Sequence, residues 1–191
     1  MRMARVGAAA YSLTAGLLVL PIVLPILPVQ TAEGYADAAS SLRPSADGSN
    51  WVYKEYSLSL SGRLGWDEMV QTVSDVYREL PGEERSVAGI YAEWYSGAGA
   101  IDLLGPQYGL PHAVSGHLTY YLWGPGEYSW EVLIVVTSSY NKLASSFYQC
   151  RLEAIVLNDA NPHMAGNNRV YVCKDPKKTP AEIWRTVRNY Q

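Results

Sequence analysis

Two of the three histidines of this chain lie in one stretch, residues 96–125, among glycines, prolines, tyrosines and a tryptophan. Histidine titrates near neutral pH and hydrogen-bonds hydroxyl groups, while aromatic rings with polar tips pack against flat, amphipathic ligands such as sugars. Glycine lets a ligand approach the backbone closely. We therefore predict a ligand-facing surface here, although these residue types do not identify one particular reaction. The candidate ligand-binding residues are Tyr95, Asp102, His117, Tyr120, Tyr121 and Trp123.

Acid–base chemistry in this region would fall to Glu93, Asp102 and His117, if all three faced one cleft. The alternatives are solvated or helix-capping carboxylates and a structural histidine. The chain contains no GxSxG, HExxH or P-loop motif, so we assign no catalytic residue and predict no cofactor. Neither a CxxC pair nor a histidine pair lies near the cysteines, so no metal site is predicted.

The elements that would position these residues follow from the apolar patterns. We predict helices at 66–80, 97–104 and 139–146, and strands at 86–92, 131–137, 149–157 and 169–173. A last helix is predicted to begin with Thr179 as its N-cap, because Glu182 can close a capping box with it. Alternating helices and strands predict an α/β fold, a small three-layer sandwich around a central, mostly parallel sheet. The glycines after the strand at 86–92 suit either an anion-binding helix start or tight helix packing.

The N-terminal part of the chain is apolar. No charged residue occurs at 6–32, which is long enough for one membrane span. Arg2 and Arg5 precede this stretch, so the positive-inside rule predicts that the N-terminus (1–5) is cytoplasmic and that the chain after the transmembrane helix (6–32) lies outside. The outer part is predicted to consist of a linker (33–64), with an extended segment at 51–60, and an extracytoplasmic domain (65–191). A signal peptide cleaved at 36–38 is the alternative. Either interpretation places the folded domain outside the cytoplasm, and the first predicts a single-pass protein of the cell membrane.

Cys150 and Cys173 are the only cysteines, on two apolar runs separated by a turn-rich loop. Antiparallel pairing of those runs would allow a disulfide, whereas two buried free thiols are the alternative.

The net charge of −3 provides no basic face for nucleic acid. The chain has fifteen tyrosines and six tryptophans but one phenylalanine. This composition is consistent with half-buried aromatic side chains on a small domain, or with side chains that contact carbohydrate or lipid headgroups.

Several short motifs, in this order, resemble a known family. They are GWDEMV (65–70), VY (76–77), LP (80–81), EER (83–85), AGAID (98–102), GPQYGLP (105–111), SGH (115–117), YYLWGP (120–125), VYVC (170–173) and EIW (182–184). Together they resemble the C-terminal extracytoplasmic domain of bacterial GT-C membrane glycosyltransferases related to protein O-mannosyltransferases and lipid A aminoarabinose transferases. The preceding apolar stretch resembles the last membrane helix of such enzymes.

This resemblance implies a function in glycosyl transfer from a polyprenyl-phosphate-linked sugar. In the family, the catalytic carboxylate lies in a membrane part that this chain does not contain. The resemblance therefore implies an accessory tail domain that does not catalyse by itself. The partners it implies are the bilayer, a lipid-linked sugar or glycan acceptor, and a multi-pass transferase subunit. Where the family pattern reads Asn-Tyr-Gly-Glu, this chain has Trp94, Tyr95, Ser96 and Gly97, and Leu118 replaces an asparagine. A stand-alone anchored protein that binds a glycan or lipid headgroup is the first alternative, and a secreted hydrolase the second.

Overall fold

The computed structural model describes residues 2–24, 27–41, 64–138, 143–156 and 169–190. The chain divides into two compact units, Met1–Arg63 and Leu64–Gln191. The extended segment predicted at 51–60 and the loop between the cysteine-bearing strands lie outside the described residues. So does the first half of the helix predicted at 139–146; in its second half, Ala144–Ser146 is described as a 3-10 turn.

The first unit contains two helices, α1 (Arg2–Val23) and α2 (Val29–Ser41). The prediction of one helix through 6–32 is therefore wrong. Helix α1 ends at Val23, and Leu24 N–H still donates to Leu20 O. The residue that follows Leu24 in the sequence is a proline, which has no N–H to extend the helix. In the described part of the chain, no helix combines the length and apolar character that crossing a bilayer requires.

The second unit is built on a five-stranded sheet of order β2-β1-β3-β5-β4, with strands β1 (Ala88–Ala92), β2 (Ala113–Val114), β3 (Val132–Thr137), β4 (Phe147–Ile155) and β5 (Arg169–Pro176). Strand β1 runs parallel to both β2 and β3, whereas β5 is antiparallel to both β3 and β4. The mixed α/β class is confirmed, but the prediction of a mostly parallel sheet is wrong. Parallel neighbours need crossover elements, and β5 instead pairs directly with the strand before it.

Helices cover both faces of the sheet. On one face lie α3 (Trp66–Glu79) and α5 (Tyr95–Leu104), whose residues Met69, Val73 and Ile101 are buried against β1, β3 and β5. On the other lies α6 (Pro180–Thr186), which buries Ile183 and Trp184. A short helix, α4 (Gly82–Val87), joins α3 to β1. The strand β3 is buried along its whole length, as its uninterrupted apolar run predicts.

A disulfide joins Cys150 on the outer strand β4 to Cys173 on β5. The two residues are direct partners in the antiparallel register, and their Cα atoms are 4.0 Å apart. Cross-linking residues 23 positions apart stabilises a fold by about 3 kcal/mol in the chain-entropy model. The outer strand is thus held to the sheet covalently as well as by hydrogen bonds.

A backbone strap formed by residues 187–190 holds the segment that leads from β2 into a 3-10 helix, Leu118–Trp123. Asn189 N–H donates to Gly116 O at 2.8 Å, and Leu118 N–H donates to Asn189 O at 2.9 Å. A Cβ atom on Gly116 would lie 2.0 Å from Val187 O, so only glycine lets the strap approach this closely. The strap therefore positions the 3-10 helix that carries Tyr120, Tyr121 and Trp123.

Candidate functional site

A cavity of about 360 Å³ opens beside the 3-10 helix 118–123. Helix α5, strand β2, the 3-10 helix and the turn after it all contribute to its lining, which consists of Asp102, His112, Ala113, Val114, Tyr120, Trp123, Gly124 and Gly126. Its volume lies within the range of small-molecule sites. Three of the six residues that the sequence indicated, Asp102, Tyr120 and Trp123, are brought together here.

The carboxylate of Asp102 connects three segments of the cavity wall. Its Oδ1 accepts the Ala113 N–H at 2.7 Å, and its Oδ2 accepts the Tyr120 hydroxyl at 3.0 Å. Nδ1 of His112, an exposed side chain, lies 3.4 Å from Oδ1. Each carboxylate oxygen has two lone-pair sites, so Asp102 can accept further hydrogen bonds from a ligand.

Trp123 supplies an exposed aromatic face at the cavity. Its side chain is 71% exposed, and its ring centroid lies 4.4 Å from that of Tyr120 at an interplanar angle of 59°. Gly124 ends the 3-10 helix with φ 84°, a backbone conformation that favours glycine. An indole left this open is available to stack on a ligand rather than to stabilise the core.

The Tyr120 hydroxyl stays protonated far above neutral pH. Burial, and then the hydrogen bond and negative charge of Asp102, raise its pKa to about 12. Because the folded pKa exceeds the unfolded value of about 10, the stabilisation is complete below pH 10 and is lost as the pH rises toward 12. We expect the unfolding midpoint to fall between about pH 10 and pH 12, and the fall to be shallower in Tyr120→Phe. Urea unfolding of the parent protein and of Tyr120→Phe between about pH 10 and pH 12 measures the fall of the midpoint in each, and the absorbance at 295 nm follows tyrosine ionisation. An equal fall in the two proteins would contradict the raised pKa of Tyr120.

His117 is a buried structural residue, 4% exposed, rather than part of the cavity. Its Nδ1 accepts the Tyr95 N–H at 3.4 Å, so it caps the first turn of α5. Its ring stacks on Tyr95 at 5.2 Å and meets the edge of Trp94 at 4.9 Å. The N-terminal turn of α5, where the sequence left an anion site open, thus donates one of its N–H groups to an imidazole.

The other candidates also pack elsewhere. Tyr121 stacks on Trp184 of α6 with centroids 5.3 Å apart and an interplanar angle of 4°. Glu93 Oε2 accepts hydrogen bonds from the Thr137 hydroxyl at 2.6 Å and from Ser138 N–H at 2.9 Å, which ties the ends of β1 and β3 together. The Glu93 carboxylate thus accepts from Thr137 and Ser138, whereas the Asp102 carboxylate accepts from Ala113 and Tyr120, so these two carboxylates are held by different parts of the fold.

Leu118 occupies the left-handed region, with φ 50°. Asparagine tolerates this conformation better than leucine. We expect Leu118→Asn to relieve about 1 kcal/mol of backbone strain and to give up part of the burial of a side chain that is 38% exposed, for a net stabilisation of up to about 0.5 kcal/mol. Leu103→Asn, at an exposed position in α5, is the control and should not stabilise. Urea denaturation compares the two variants, and destabilisation by Leu118→Asn would refute the strain argument.

His112 is the residue of the cavity that sequence reasoning missed. It is one of the two histidines in the stretch at 96–125, but no local pattern indicates that it reaches Asp102. Across the described ranges, no group of three or more histidine, cysteine, aspartate or glutamate side chains is arranged to hold a metal ion.

Comparison of the chain with protein-family models, curated proteins and solved structures finds no match.

Proposed function

We propose that residues 64–191 form a saccharide-binding accessory domain that serves glycosyl transfer and does not itself catalyse it. The observation that carries this proposal is the exposed Trp123 beside Tyr120 and the Asp102 carboxylate in one cavity. The apolar C–H face of a sugar ring packs on an indole, and its hydroxyls donate to a carboxylate. The cavity offers both groups side by side.

The charge of the cavity favours a neutral sugar over a phosphate. Among the described residues that line it, none is lysine or arginine, and Asp102 is the acidic one. An anionic headgroup would be brought against this carboxylate without a lysine or arginine in the lining to compensate its charge, which disfavours binding. The sugar part of a polyprenyl-phosphate-linked donor, or a neutral glycan acceptor, fits better than the lipid phosphate.

The carboxylates of Glu93 and Asp102 accept hydrogen bonds from different parts of the fold, which supports a binding role over a secreted hydrolase. The ordered motifs from 65 to 184 support a place beside a multi-pass transferase that uses a lipid-linked sugar. The Cys150–Cys173 disulfide supports a location outside the cytoplasm, because disulfides persist in oxidising compartments. A stand-alone glycan-binding protein would use the same cavity without the transferase partner.

Tryptophan fluorescence of the full chain, titrated with neutral oligosaccharides of mannose, glucose and N-acetylglucosamine, tests the proposal. We expect saturable binding to at least one of these sugars. Undecaprenyl-phosphate-linked hexose should bind and undecaprenyl phosphate should not. No response to any sugar would refute saccharide binding. Binding of the free lipid phosphate as tightly as the sugar-linked form would refute the assignment of the cavity to the sugar.

A further inference from the structure

Six large apolar or aromatic side chains at the start of α5, on the 3-10 helix 118–123 and on the strap are open to solvent. Between 38% and 72% of each is exposed, and they are Trp94, Tyr95, Leu118, Leu122, Trp123 and Tyr190, together called the aromatic surface. Single exposed apolar residues are ordinary on a protein, whereas a connected group of them marks a surface that contacts another molecule. Of the six, Trp123 also lines the saccharide cavity beside the 3-10 helix.

One half of the aromatic surface is connected through a buried histidine. The rings of Trp94 and Tyr95 lie 4.9 Å and 5.2 Å from the ring of His117, centroid to centroid. His117 is followed by Leu118, whose N–H donates to Asn189 O of the strap at 2.9 Å. The start of α5, the 3-10 helix and the strap therefore meet at this point.

The other half runs from the strap to the end of the 3-10 helix. The ring of Tyr190 meets the ring of Tyr121 edge-on, with centroids 6.3 Å apart. Tyr121 is followed directly by Leu122 and Trp123, which are 72% and 71% exposed. Two neighbouring side chains of this size and openness form an apolar tip at the end of the helix.

The charge of the aromatic surface is sparse and basic. With histidine counted as neutral, Arg188 is the only charged side chain in the segments that form this surface, 94–101, 115–126 and 186–191, although the whole chain has a net charge of −3. The Arg188 guanidinium lies 4.4 Å from the centroid of the Tyr190 ring, and the side chain is exposed. An anionic lipid surface would meet a cation here and no acidic side chain from these segments.

We propose that the aromatic surface docks on a phospholipid bilayer that contains anionic lipid. Rings of tryptophan and tyrosine favour the level of the lipid headgroups, where Arg188 can meet a phosphate, and the apolar tip of Leu122 and Trp123 reaches the acyl chains. The choice of a bilayer over a protein partner rests on the proposed function, because the tip adjoins the saccharide cavity and a polyprenyl-linked sugar is presented at the membrane surface. Docking would bring this cavity to the level of its ligand.

Contact of Trp123 with lipid tests the proposal in the full chain. The probes are vesicles of phosphatidylcholine and phosphatidylglycerol, with and without bromine on the acyl chains, since bromine quenches tryptophan on contact. The emission of Trp123 is the parent spectrum minus that of Trp123→Phe. We expect brominated vesicles to quench at least about half of it, because a docked tip enters the headgroup and acyl boundary. Binding of vesicles through another part of the chain does not produce this signal.

Leu122→Glu and Tyr148→Glu form a matched pair for this measurement. Leu122→Glu puts a carboxylate on the tip and should lower the quenching of Trp123 at least about threefold. Tyr148 is 75% exposed but lies on β4, the opposite edge of the sheet from β2, so Tyr148→Glu should leave the quenching unchanged. Each variant is paired with its own Trp123→Phe double variant to isolate the Trp123 emission.

The proposal is overturned if brominated vesicles leave Trp123 emission unchanged, whether or not the chain sediments with them, since this surface would then be left to a protein partner. It is also overturned if Leu122→Glu and Tyr148→Glu reduce the quenching equally. Leu122→Glu should keep the affinity for soluble oligosaccharides within about twofold of the parent protein, because Leu122 does not line the saccharide cavity. Loss of lipid contact and loss of saccharide binding are therefore separate results.

Discussion

Replacing Trp123 by alanine is expected to weaken saccharide binding about 30-fold while leaving the fold intact. The indole is 71% exposed, so its removal deletes little buried surface from the protein. In the complex, however, the ring would be covered by the sugar, and aromatic anchors of this kind contribute about 2 kcal/mol or more. Titration of the variant with the best-binding oligosaccharide, alongside a urea melt, measures both quantities.

Leu122→Ala is the matched control for this substitution. Leu122 belongs to the same 3-10 helix and is 72% exposed, but it does not line the cavity. It should therefore leave saccharide affinity within about twofold of the parent protein. Equal losses in Trp123→Ala and Leu122→Ala would show that the 3-10 helix as a whole, rather than the indole face, governs binding.

Gly116→Ala is expected to destabilise the second unit by about 3 kcal/mol. The new methyl group would lie 2.0 Å from Val187 O and 2.8 Å from the Val187 carbonyl carbon, both of them backbone atoms. The strap must move away, which stretches the hydrogen bonds between Gly116, Leu118 and Asn189. Overpacking costs about 1–3 kcal/mol, and the strained backbone bonds add to it. The unfolding temperature should fall by about 10 °C.

Gly82→Ala is the control for this prediction. A Cβ at Gly82 would meet nothing within 4 Å, and this glycine lies in the short helix α4, away from the strap. Its effect should remain within about 0.5 kcal/mol. A near-neutral Gly116→Ala in the same thermal melt would mean that the strap adapts freely, and would remove its role in positioning the 3-10 helix.

Local signals account for the parts of the fold that could be predicted. The apolar spacing from Trp66 gave α3 almost to the residue, and the capping box between Thr179 and Glu182 is confirmed. The short helix α4 was missed because its six residues carry no apolar period, so the start of the next strand was placed at 86 instead of Ala88. Strand direction was predicted less well, because apolar runs specify burial and not pairing partners.

Long-range contacts divided the candidate site. Asp102 and Tyr120 could be proposed together from composition, but their hydrogen bond depends on how α5 packs beside the 3-10 helix. His117 and Tyr121 are of the same residue types and lie in the same stretch, yet the first caps α5 and the second stacks on Trp184. Residue type alone does not distinguish a ring that faces a cavity from one that packs in the core.

The strap has a consequence for the order in which the molecule folds. It joins positions 116–118 to Asn189, groups that are far apart along the chain, and such non-local contacts carry a loop-closure cost that delays them. Strands β3, β4 and β5 and helix α6 all lie between the two ends of this loop. The saccharide cavity is therefore expected to be among the last parts of the unit to acquire its native shape, so a partner that recognises it would distinguish finished molecules from partly folded ones.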